Sequence, residues 1–177
     1  ARVAFRPIVS MQSGGLTIRT APLIWRQSEK CALAANLVAP AMQANAFDAY
    51  LAGLMANVGL VVAFRLIDQM HAPDAFPQSD AFIAQVFAQA RILSVRIAEL
   101  WEFPVSVTRA IAQVGQADAD PQAQALALGE RLSKLRMLLD TGRFPADDPF
   151  VMTGLSKAEL QVFDKLADDD DEDDDEE

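Results

Sequence analysis

His71 and Cys31 are the only imidazole and the only thiol among 177 residues. Zinc sites assembled from histidine and cysteine need several such ligands around one ion, and a nucleophilic serine or cysteine needs a histidine beside it. The composition excludes the first arrangement, and no nucleophile has a histidine plausibly placed for the second. His71 opens a stretch containing Pro73 and Pro77, which reads as a loop and makes the imidazole a solvated surface group. Cys31 falls inside a helical pattern, where a small buried hydrophobe is expected, and a single cysteine forms no intramolecular disulfide. Gly14 and Gly15 lack the lysine and flanking pattern of a phosphate-cradling loop. The carboxylate couples Asp147 with Asp148, Asp118 with Asp120 and Glu99 with Glu102 read as caps and solvated faces rather than acid–base pairs.

Charge narrows the classes of partner. The formal net charge is −10, but Asp168 to Glu177 are ten consecutive acids, leaving fifteen acids to balance fifteen bases elsewhere. A neutral body with a polyanionic tail repels phosphate backbones and anionic headgroups, so neither nucleic acid nor a membrane surface is the expected partner. The tail, expected to be disordered, suits a basic partner. It lacks the glycine-containing loop of a calcium site and should bind cations only weakly. No unbroken apolar run reaches the roughly 18 residues that span a bilayer, and no secretory leader is recognisable, so a cytoplasmic location is expected.

The elements that must position these groups are helical. Alanine, leucine, glutamine and valine are abundant and glycine is sparse, a composition that favours an all-α fold. Residues 1–20 are poorly defined. A helix is predicted from Ala21 to about Ala41, with Pro22 in its first turn, the apolar positions Trp25, Ala32, Ala35 and Val38, and Pro40 at its end. A second is predicted from Ala46 to Met70 along Phe47, Leu51, Leu54, Val58, Val61 and Arg65; Gly53 and Gly59 inside it imply close packing or a break. Ser79 or Asp80 caps a third helix that buries Phe82, Val86, Leu93, Ile97 and Leu100 and stops before Pro104. A short helix to about Val114 follows. Asp120 and Pro121 then open another that reaches Asp140 along Ala125, Leu128, Leu132, Leu135 and Leu139, with Gly142 as its stop. Ser156 with Glu159 forms a capping box before Leu160, Phe163 and Leu166, and helix is expected to fade near Ala167. The domain is placed at 21–167 and the tail at 168–177.

Three ordered blocks carry a family resemblance. Trp25, Arg26, Gln27 and Ser28 precede Ala32 and Ala35; Ala52, Gly53, Leu54, Met55, Ala56, Asn57, Val58 and Gly59 form the second; Leu100, Trp101, Glu102, Phe103 and Pro104 the third, followed by Arg109, Ala110 and Ile111. The set resembles the HDOD domain, a relative of the HD-type metal phosphohydrolases, over roughly residues 22 to 166. The resemblance implies a compact multi-helix domain. Family members carry several helices before the first block, so the domain is expected to lack the family's N-terminal half.

In HD-type hydrolases a histidine, a later His-Asp pair and a distal aspartate hold an ion that activates water. The resemblance places the corresponding positions at Gln27, Ala56 and Asn57. Alanine offers no donor, and neutral amides replace imidazole and carboxylate poorly. No catalytic residue, metal ligand or cofactor is therefore expected. The family-motif positions are Trp25, Ser28, Gly53, Leu54, Gly59, Trp101 and Pro104; both tryptophans are expected to fill core, and Gln27, Asn57 and Trp25 are the candidate lining of a vestigial pocket. The resemblance implies a non-catalytic, regulatory domain of bacterial signal transduction that binds signalling proteins. The alternatives are an HD-like hydrolase with unrecognised ligands and a small-ligand sensor using the old pocket.

Overall fold

The structure, a computed structural model, describes residues 15–70, 79–142 and 154–167. Helix α1 (Leu16–Val38) opens after Gly15, which has no side chain to cap it. Asp68 does so from elsewhere in the chain, its Oδ1 accepting from Leu16 N at 2.9 Å and its Oδ2 from Thr17 N at 2.8 Å. This borrowed cap satisfies amide groups that a helix start otherwise leaves without partners. It also moves the start upstream of the predicted Ala21, so that Pro22 lies inside α1 and not in its first turn. The 3₁₀ turn Ala39–Met42, carrying Pro40, ends the run.

The apolar stretch expected to be one helix is two. Helix α2 (Ala46–Met55), capped by Asn45, and α3 (Val58–Met70) are separated at Ala56 and Asn57. Both glycines sit at backbone approaches: a Cβ on Gly53 would lie 2.6 Å from Ala32 Cα, and one on Gly59 would overlap Ala90 O and Ser94 N. Close packing and a break are thus both present.

Helix α4 (Asp80–Leu100) starts at the predicted Ser79, whose hydroxyl accepts from Phe82 N. Its fully buried positions are Ala90, Ser94 and Ala98, not the large residues of the predicted stripe; Phe82, Val86, Leu93 and Ile97 are half-buried and Leu100 is 78 % exposed. Small side chains win that face because Gly59 brings the α3 backbone against it. Phe47, the first residue of the other predicted stripe, is also exposed, at 66 %.

Glu102, at a φ of 57°, makes the corner between α4 and α5 (Val105–Gln113), for which Pro104 is the N-cap residue. Asp120 caps α6 (Pro121–Asp140) by accepting from Ala123 N, and the Ser156–Glu159 capping box opens α7 (Lys157–Asp164). Helix α1 is the central strut, packed most extensively on α6 and α2. It divides the interior into one cluster around Cys31, Met55, Val107, Ile111 and Leu126 and another around Ala35, Ala49, Leu132, Phe163 and Leu166. The fold is all-α, and no strand occurs among the described residues.

By length and composition alone, two stretches are apolar enough to cross a membrane: Ala46–Met70, with a mean hydropathy of 1.8, and Asp80–Leu100, with 1.3. This corrects the expectation drawn from unbroken runs, because scattered polar residues barely lower a window average. The first stretch is broken at Asn57, and half of its most apolar window is buried in the fold, as in core helices generally. His71, Asp147, Asp148 and the acidic run 168–177 lie outside the described residues.

Candidate functional site

The break between α2 and α3 turns Asn57 toward α1. Asn57 Nδ2 donates to Gln27 Oε1, and Gln27 Nε2 donates to Ser133 Oγ of α6 at 2.9 Å. Ser133, fully buried, in turn donates to Glu130 O at 3.1 Å. The positions matched to the metal ligands are therefore brought together, and the amides at Gln27 and Asn57 bond each other. The side chain at Ala56 carries no donor. Its carbonyl accepts from Ser94 Oγ at 2.8 Å and from Arg91 Nη1 at 3.4 Å, while Ser94 Oγ accepts from Gly59 N at 2.9 Å.

The charges around this cluster are fixed ones. Arg91 Nη2 lies 2.7 Å from Glu130 Oε1, and Lys134 Nζ is 3.2 Å from Glu130 Oε2. With only a tenth of its side chain exposed, Glu130 is a carboxylate held by two cations. Such a group is stable where bare charge would not be. Cys31 lies in the same region; burial, reinforced by the negative charge of Glu130, pushes its thiol up to about 12. A thiol so protonated is a poor nucleophile and a poor ligand.

Trp25 is the third proposed lining residue. It stands two residues before Gln27 on α1, and residues so spaced do not share a helix face. It packs, half-buried, against the cluster containing Cys31 and Met55. Of the motif positions, Ser28 and Leu54 are buried, Gly53 and Gly59 make the close approaches, and Pro104 opens α5. Trp101, expected in the core, is 41 % exposed, because it follows the end of α4 on the outer side of the Glu102 corner. Of the carboxylate couples, Asp120 is a helix cap and Glu99 pairs with Arg96 at 3.1 Å. Among the described residues no group of three histidine, cysteine, aspartate or glutamate side chains is placed to hold a metal ion.

A family model, that of the HDOD domain, matches residues 4–117. The chain belongs to the HDOD domain family. The match opens upstream of the three blocks and closes before α6, so the HDOD segment supplies Gln27, Asn57 and Arg91, while Ser133 and Glu130 come from the helix after it. No curated protein and no solved structure matches this HDOD chain.

Sequence reasoning missed Ser133, Arg91 and Glu130. Each is a polar residue in an amphipathic helix, where a solvated face is the ordinary reading. Their joint signal would have been the Glu130–Ser133 spacing, which puts both on one face of α6 beside the leucine stripe.

Proposed function

We propose that this HDOD domain is regulatory and non-catalytic, acting in signal transduction by presenting its helical surface to a signalling protein. The observation that carries the proposal is the bonding of Gln27 to Asn57 and Ser133. Metal-assisted hydrolysis needs anionic or imidazole donors with an open coordination position. Here two neutral amides and a hydroxyl are linked by hydrogen bonds, next to a carboxylate paired with Arg91 and Lys134. A small-ligand sensor finds less support, because both ends of the Gln27 amide are engaged.

A cytoplasmic setting and a protein partner, rather than nucleic acid or membrane, agree with a body whose charges balance outside residues 168–177. A basic partner for the acidic run is part of the same reading.

Purified protein should leave nucleotides and cyclic dinucleotides intact with added manganese or iron, and should contain no stoichiometric metal after preparation without supplements. Turnover that is lost on chelation and changed by Asn57→Ala would overturn the proposal. A regulatory role further requires a signalling protein that co-purifies at a defined ratio and elutes with the domain from a sizing column.

A further inference from the structure

The outer ends of α3 and α4 are apolar, yet they bury nothing completely. Gly59 lies against Ala90 and Ser94, and from that contact the two helices run antiparallel outward to Met70 and Asp80. No residue of 62–70 or 80–89 is fully buried, and only Arg65, Asp68 and Asp80 among them are charged. Met70 is 76 % exposed and Leu66 47 %. Along α4, whose composition would let it cross a membrane, only 17 % of the most apolar window is buried in the fold. Apolar surface on this scale is ordinarily covered by a partner.

A groove of about 330 Å³ runs between these ends. Helix α3 lines it with Ala63, Leu66 and Ile67, and α4 with Val86, Gln89 and Leu93, on each helix at the three- and four-residue spacing of a single face. None of the lining residues is charged. Asp68 is instead engaged with Leu16 and Thr17 at the start of α1. We propose that the groove's occupant is a second copy of this chain, whose own α3 and α4 pack across a two-fold axis to complete a four-helix bundle.

Charge is the first argument for a second copy. A two-fold interface sets one patch against itself, so a charge near its centre meets its own kind; a groove without charge tolerates that pairing and offers a charged partner nothing to pair with. Shape is the second, because apolar stripes on two adjacent antiparallel helices are what a four-helix bundle encloses from both sides. Size is the third. Helix α4 is about 31 Å long and α3 about 20 Å, and at about 10 Å of width per helix the face amounts to roughly 500 Å² on each copy. Two copies then bury about 1,000 Å², the lower end for a specific interface, so the dimer is reversible and not permanent. A bilayer is the poorer match, since α3 is too short for roughly 30 Å of hydrocarbon. Arg65, outnumbered by Asp68 and Asp80, gives these ends no basic face for a membrane surface.

Sedimentation equilibrium of the full chain, from micromolar to submillimolar concentration, tests the pairing. The mass should rise with concentration from that of one chain toward that of two. Val86→Glu, at a half-buried groove position, and Gln89→Arg, at an exposed one, should each weaken association by about tenfold or more, because like charges then meet across the two-fold axis. Circular dichroism should show unchanged helix content in Gln89→Arg, whose side chain leaves the core untouched. A single-chain mass at every concentration overturns the proposal. So does a dimer that both variants leave intact, since its contact then lies elsewhere, and so does binding to anionic vesicles by a chain that stays monomeric in water.

Discussion

Arg91 and Glu130 meet at 2.7 Å between α4 and α6, beside the positions matched to the ligands of a metal. A guanidinium thus sits against a buried carboxylate and the Ala56 carbonyl. The pair's worth is a balance between attraction and desolvation, so removing one partner costs more than replacing both.

Glu130→Ala is expected to destabilise the domain by about 2–3 kcal/mol, less than a fully enclosed pair because Arg91 retains some solvent contact. Arg91→Met combined with Glu130→Leu should recover most of that loss. Urea denaturation of Glu130→Ala, of Arg91→Met and Glu130→Leu singly, and of the double variant measures both; additivity of Arg91→Met and Glu130→Leu would show that the two side chains act independently.

Gly59→Ala places a methyl against the backbone of Ala90 and Ser94, where no flexible side chain can give way. A loss of about 2–3 kcal/mol is expected from overpacking, with α3 pushed off α4. Hydrogen exchange on the amides of α3 and α4 should accelerate with the fall in denaturation midpoint. Unchanged exchange in both helices would contradict the close approach.

Glu102 closes α4 in a left-handed conformation, with Phe103 N donating to Ala98 O and Glu102 N to Glu99 O, both at 3.0 Å. Glycine accepts that conformation without the steric penalty of a β-carbon. Glu102→Gly should therefore stabilise the protein by about 0.5–1 kcal/mol, after allowance for the added freedom of the unfolded chain. Thermal denaturation reads the result, and a lower melting temperature would argue against a strained corner.

Asp68 couples stability to acid. Burial opposes its ionisation, but the amides of Thr17 and Leu16 and the charge of Arg19 outweigh it and hold the carboxyl below its ordinary 3.8. The Ser156 amide and hydroxyl, against a smaller effect of burial, do the same for Glu159 in the α7 capping box, with help from Arg131. A folded value below the unfolded one means that this stability is fully present above the ordinary value and drains as pH falls through the folded one. Asp68→Asn should flatten the pH dependence of stability below about pH 4, while Asp68→Ala at pH 7 should cost about 1 kcal/mol as the loss of a helix cap. Chemical denaturation from pH 2 to 7 separates the two effects.

The elements legible in the sequence are those whose signals are local. Ser79, Asp120 and the Ser156–Glu159 pair each cap the helix that follows them, because an N-cap oxygen bonds an amide two or three residues on and needs nothing distant. The scarcity of histidine and cysteine is equally local and limits the available chemistry whatever the fold. Gln27 and Asn57 were recognisable as a pair through family resemblance, not through any spacing of their own.

Tertiary structure decided what depends on contact between distant segments. Asp68, by capping α1 from α3, moved the helix start ahead of Pro22. Gly59 chose the Ala90–Ser94–Ala98 face of α4 over the larger apolar residues, since the closest backbone approach favours the smallest side chains. Arg91 of α4 met Glu130 of α6, and Ser133 of α6 met Gln27 of α1, only in the folded chain. A sequence determines each residue's capacity to bond or to bury, but which partner completes it is settled by the competition for space and hydrogen bonds in the folded chain.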